Sequence, residues 1–124
     1  MADGPSPNIG KEVLFENARL RVWDLTLAPG EASELHHHQH DYVFIYVTPS
    51  TLEVTVPGGS PSLRRYADGY VQFNVVGEKG LTHKIRNLGD ERHRQLLVEF
   101  LGPSAAPHSL PPETNGRENP SADA

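Results

Sequence analysis

Outside Gly10–Ala18, apolar residues in this chain do not recur at the three-to-four spacing of an amphipathic helix. They come in short, largely alternating runs closed by glycine, proline, asparagine or aspartate. Leu20–Leu27 (LRVWDLTL) puts Trp23, Leu25 and Leu27 on one face and Asp24 and Thr26 on the other. Tyr42–Val47 (YVFIYV) is apolar on both faces, as a central buried strand would be. Leu52–Val56 alternates and runs into the turn PGGSP; Leu63–Tyr66 and Tyr70–Val75 are separated by Asp68-Gly69. Thr82–Asn87 alternates again, and Gln95–Leu101 closes the set. Gly10–Ala18 fits a helical turn or two as well as an extended segment. Seven or more short strands with turn residues between them predict an all-β sandwich or barrel and leave its topology open.

Composition narrows the chemistry. The chain has no cysteine, which excludes disulfide frameworks, thiol catalysis and thiolate metal sites. Sixteen acidic against eleven basic residues give a net charge of −5, the wrong balance for a nucleic-acid surface. No apolar run approaches the roughly 20 residues that span a bilayer, so no membrane association is expected. The opening MADGPSPN has neither the basic nor the apolar segment of a secretion signal, and a cytoplasmic protein is expected. Residues 1–8 offer almost nothing to bury and read as a flexible N-terminus; residues 9–102 are the folded domain. From Pro103 the chain holds five prolines in 22 residues and reads as a Pro-rich disordered tail or extended arm over 103–124. Part of that tail could form a polyproline II stretch that docks on a partner.

Four of the seven histidines fall in LHHHQHDY: His36, His37, His38 and His40. On a strand, His36, His38 and His40 share one face and His37 takes the other. Imidazoles at i and i+2 come within reach of one metal ion, and a third ligand must then come from another strand. His83 is the candidate, because THKIRN places it in phase with Ile85 and Asn87, opposite Thr82, Lys84 and Arg86. The competing reading is a polar loop with incidental metal affinity. His93, between charged residues in DERHRQ, reads as an exposed turn residue, and His108 as a solvated tail residue.

These segments resemble the two cupin motifs. PGEASELHHHQHDYVFIYV is similar to the first motif: Gly30, five residues, then H-x-H at His36 and His38, with a glutamate usual four residues on. GEKGLTHKIRN is similar to the second, P-x-G-x-x-H-x-x-x-N, at Gly80, His83 and Asn87. Within that family the chain is similar to small single-domain cupins labelled β-alanine degradation proteins, through Leu14–Asn17, Arg19–Leu25 and His36–Tyr42. The resemblance spans roughly Glu12–Gly102. It implies an all-β double-stranded β-helix, the RmlC-like jelly-roll barrel, commonly a homodimer, with a divalent metal ion held inside by His36, His38 and His83. Iron, zinc, nickel and manganese are all compatible with imidazole ligands.

Two positions depart from the motifs. Tyr42 stands where the glutamate ligand is usual, and Glu78 where the proline is. Asp41 is adjacent but faces the other way on a regular strand. A phenol with a reference pKa near 10 is a weak ligand, so Tyr42 is expected to hydrogen-bond near the site or wall the pocket. Three neutral imidazoles leave a bound M²⁺ its full charge, where a glutamate would reduce it. Such a site favours a small anionic, bidentate molecule: a 2-oxo acid, an enolised diketone or a hydroxy acid. Similar three-histidine cupins are Fe(II) dioxygenases; others are isomerases or lyases. The resemblance therefore implies a metal-dependent enzyme, with Tyr42 or His40 moving a proton. The alternative is a non-catalytic metal- or metabolite-binding cupin with an accessory or regulatory role.

Other polar residues bear on the barrel interior. Gln95 and Glu99 share a face of the last strand, which is expected to point outward at Glu99. Arg64 and Arg65 point to opposite faces and read as a solvated pair, of which at most one can enter the barrel. Trp23, Phe44, Tyr46 and Phe73 are expected in the core, the dimer interface or the pocket wall.

Overall fold

The computed structural model describes residues 4–103 and 113–114, the latter as backbone only. Ten strands follow in chain order: β1 Glu12–Glu16, β2 Leu20–Leu27, β3 His36–His38, β4 Tyr42–Tyr46, β5 Ser50–Thr55, β6 Ser62–Tyr66, β7 Val71–Asn74, β8 Leu81–Asn87, β9 His93–Phe100 and β10 Glu113–Thr114. The larger sheet has the order β1-β2-β9-β4-β7-β10 and the smaller β3-β8-β5-β6, with every strand pair antiparallel. This is the expected all-β double-stranded β-helix. Gly10–Ala18 resolves to a strand: Val13 pairs with Trp23, and Lys11 N–H donates to the Asp24 carbonyl.

The core lies between the sheets. Trp23, Leu25 and Leu27 come from β2, Tyr42, Phe44 and Tyr46 from β4, and Leu52 and Ile85 from the smaller sheet. Ile9 is also buried. Within the segment expected to be flexible, however, Ser6 is tied to β3: its N–H donates to the Leu35 carbonyl and its carbonyl accepts from His37 N–H. A backbone that pairs with a strand edge needs no apolar side chain, which is why composition did not reveal it. Of the expected tail, Pro103 and β10 are described; the rest, with His108, lies outside the described residues.

The last long strand departs from expectation. On β9 the inward residues are His93, Gln95, Leu97 and Glu99, all buried, while Leu96 and Val98 face outward, half-exposed. The reason is register. Val98 lies between Val22 and Val43, and Val43 pairs on its other side with Phe73, so the outer face of the larger sheet is itself apolar. With apolar residues on both faces, hydrophobic alternation carries no information on which face is inside.

Candidate metal centre

Pairing of β3 with β8 builds the site. His36 lies opposite His83, and His38, two residues along, returns to the same face. His36, His38 and His83 each present a ring nitrogen, all within 4.8 Å of one another. His36 and His38 are buried and His83 half-buried. Asn87, on the same face of β8, closes the following turn: its amide donates to the Leu27 and Glu91 carbonyls and its Oδ1 accepts from Gly89 N–H.

The donor set fits a divalent ion. Nδ1 of His36 lies 2.8 Å from the Glu34 carbonyl. A carbonyl only accepts, so the proton is on Nδ1 and the Nε2 lone pair is free for a metal. Nε2 of His38 and Nε2 of His83 are 3.1 Å apart. Two nitrogens bound to one ion at about 2.1 Å stand about 3.0 Å apart at a right angle and about 3.4 Å apart at a tetrahedral one. The other ring nitrogen of His38, Nδ1, is buried without a hydrogen-bond partner. Burial pushes the His83 imidazole down to about 3; it also holds His38 well below its usual value, with neighbouring imidazoles adding to the effect. His36 is lowered by burial as well, against the opposing pull of its bond to Glu34. The unprotonated ring is the form a metal requires.

The cluster opens into a cavity of about 350 Å³ inside the barrel. Tyr42 forms part of its wall, buried and lying nearly flat on His38 with ring centroids 4.1 Å apart. Burial raises its phenol above the ordinary value, more than a bond from Asn74 lowers it. Tyr42 is thus a neutral phenol, suited to hydrogen bonding rather than to ligation. Phe44 and Tyr46 also line the cavity, and Tyr66 stacks on Tyr46 at 4.4 Å.

Several expectations need correction. His40 does not reach the cavity: β3 ends at His38, the alternation stops there, and His40 Nδ1 lies 2.8 Å from the Gly102 carbonyl. His93 is no exposed turn residue. It is 1% exposed, with Nδ1 2.6 Å from Ser50 Oγ and Nε2 2.6 Å from Gln95 Oε1. Glu99 does not face outward; it is 3% exposed, accepts from Trp23 Nε1 at 2.9 Å and pairs with Arg21 at 3.4 Å. Asp41 is buried in the β3–β4 connection, where its carboxylate accepts from Val76 N–H. Arg64 lines the cavity while Arg65 is exposed, so the pair is split as strand alternation requires but is not jointly solvated. Phe73 sits on the outer face against Phe100, with centroids 6.0 Å apart, outside the core but on a face that a dimer interface could use. Arg64, Gln72, Asn74 and Gln95 line the cavity although the sequence alone did not place them there, and only strand parity within a known register does.

Two antiparallel sheets closed around a buried histidine cluster define the cupin fold, here one RmlC-like barrel. The described part has no helix long and apolar enough to cross a membrane. The chain is 22% identical to a cupin domain from Bordetella pertussis Tohama I, with a TM-score of 0.66 over 82% of this chain and all of that one. It is similar to the β-alanine degradation protein BauB of Pseudomonas aeruginosa, 29% identical over 93 residues, which cover 75% of this chain and 92% of BauB. It is also 34% identical over 84 residues to the polyketide synthase protein CurC of Streptomyces cyaneus, covering 68% of this chain and 49% of CurC. The match thus spans about half the length of CurC. No family model matches the sequence.

Proposed function

We propose that this chain is a metal-dependent cupin enzyme whose three-histidine centre acts on a small anionic metabolite: a 2-oxo acid, an enolised diketone or a hydroxy acid. The observation that carries this reading is the convergence of His36, His38 and His83 at a cavity also lined by Arg64. Arg64 makes no ion pair with a carboxylate among the described residues; its only side-chain partner is Ser62 Oγ at 3.4 Å. A guanidinium without an acid partner, lining the same cavity as a centre that would carry two positive charges, favours a ligand that carries negative charge. When bound, iron, zinc, nickel or manganese would polarise a carbonyl or activate oxygen or water. The protein's own groups divide the remaining work. The three imidazoles hold the ion and leave coordination positions open, and Arg64 receives a carboxylate. The aromatic wall of Phe44, Tyr46 and Tyr66 limits water, and the Tyr42 phenol offers a proton or hydrogen bond. Three-histidine dioxygenation with ferrous iron is one reaction of this class, beside isomerase and lyase chemistry, and the proposed compartment is the cytoplasm.

A second reading has support of its own. The described cavity wall contains no carboxylate to act as a base, which suits a barrel that holds metal or metabolite without turnover. We further propose a homodimer, supported by the outer rows Val22–Val98–Val43–Phe73 and by the exposed apolar residues Val13, Leu14 and Phe15 of β1.

The deciding experiment is elemental analysis of untagged protein purified anaerobically, with His83→Ala alongside. Near-stoichiometric metal that disappears in the variant, followed by oxygen uptake with diketones or 2-oxo acids, supports the enzyme. Metal without turnover on any of these supports the binder. No metal, and none taken up on titration, overturns the enzyme and leaves only a barrel that binds a metabolite without metal.

A further inference from the structure

β7 and the residue before it carry a polar ladder that the metal reading does not use. Tyr70, Gln72 and Asn74 are at i, i+2 and i+4, and Gln72 and Asn74 both line the barrel cavity. Their hydrogen bonds run one way. The Tyr70 hydroxyl donates to Gln72 Oε1 at 2.6 Å, and Gln72 Nε2 donates to Asn74 Oδ1 at 2.8 Å. The strand register puts Asn74 directly opposite Tyr42 on β4, and both side chains line the cavity.

A carboxamide has one acceptor oxygen and one donor nitrogen, so fixing one end fixes the other. The single proton of Tyr70 commits the Gln72 oxygen, and the Gln72 amino group then commits the Asn74 oxygen. That leaves the Asn74 amino group for the Tyr42 oxygen. Tyr42 therefore accepts from the ladder and keeps its own proton, with the phenol ring resting on His38 and open to the cavity.

We propose that Tyr70, Gln72 and Asn74 form a directional relay that turns the Tyr42 hydroxyl into a dedicated hydrogen-bond donor for an oxyanion held at the three-histidine centre. Asn74 is the positioning residue, and the ligands selected are those with an acceptor oxygen beside the metal-bound group. The relay replaces what a glutamate at position 42 would supply, an added negative ligand, by a neutral donor; this suits an anionic ligand on a centre that keeps its full charge. The inference rests on the metal reading above for its ligand, but the relay itself does not.

Two measurements on the full chain separate these. In metal-free protein, Tyr42→Phe should shift the Asn74 side-chain amide signals strongly in ¹H–¹⁵N spectra and those of Gln72 less. Unchanged Asn74 signals overturn the relay whatever the metal does. In cobalt-loaded protein, oxalate and imidazole are titrated by their effect on the visible cobalt spectrum. Tyr42→Phe and Asn74→Asp, which converts the last donor into an acceptor that captures the Tyr42 proton, should each weaken oxalate about tenfold or more. Imidazole, which brings no acceptor oxygen, should bind as before. Equal losses for both probes, or none for oxalate, overturn the proposal. Failure of the parent to take up cobalt overturns the metal reading instead, and the amide spectra then decide the relay alone.

Discussion

A Cβ placed on Gly80 would stand 2.6 Å from Nε2 of His37 and 2.5 Å from the carbonyl oxygen of His38. Gly80 also has φ +73°, in the left-handed region that side chains disfavour. The turn before β8 is thus pressed onto the back of β3, next to the pairing that brings His83 opposite His36.

Gly80→Ala is accordingly expected to destabilise the protein by about 1–3 kcal/mol through strain and overpacking. It should also lower metal occupancy without altering any ligand. Urea unfolding and elemental analysis of one preparation check both effects, and full occupancy would show that β3 and β8 do not depend on this contact.

Arg64→Gln should weaken binding of an anionic probe such as oxalate to the metal-loaded protein by about tenfold or more, since a charge-assisted bond in a partly dry cavity is lost. Arg65→Gln, on the outer face of the same strand, should change it little. Calorimetric titration of both variants provides the comparison, and equal effects would remove Arg64 from the site.

His93 makes stability depend on pH. Burial pushes its imidazole down to about 4, against a partial rise from its bond to Gln95. The unfolded chain, with an ordinary histidine near 6.5, binds a proton that the folded chain refuses between these values. Stability is therefore full above about pH 6.5 and falls as pH drops toward 4, by about 1.4 kcal/mol per unit from this group. In metal-free protein, His36, His38 and His83 add in the same direction. Urea midpoints from pH 7 to 5, where carboxylates still contribute little, should decrease; a flat profile would contradict the buried neutral state.

Glu99 accepts from the Trp23 indole inside the barrel wall. Glu99→Ala leaves that N–H buried and unpaired and removes one of the two carboxylates that pair with Arg21, Glu16 remaining, at an expected cost of about 2 kcal/mol. Trp23→Phe in the Glu99→Ala background should cost less than the sum of the single changes, because the two share one interaction. Additive losses in denaturant unfolding would show that the bond contributes nothing to stability.

The strand content and the histidine cluster were legible in the sequence for a local reason. Side chains alternate strictly along a strand, so His36 with His38, and His83 with Ile85 and Asn87, declare a common face without knowledge of the partner strand. Where a strand has one apolar face, as β2 does at Trp23, Leu25 and Leu27, the same rule also fixes the inward direction. It says nothing where both faces are apolar or both polar. Burial of His93, Gln95 and Glu99, and of Arg64 rather than Arg65, follows from the register of β9 with β2 and β4 and of β6 with β5. Those pairings are made by backbone groups whose positions depend on the closed barrel. His40 shows the same limit from the other side: alternation carried it into the site, and the end of β3 at His38 took it out. Residue types and spacing determined which groups this protein has available for a metal. Only the closing of the two sheets decided which polar groups share the cavity with it, because a strand's register is a property of its neighbours.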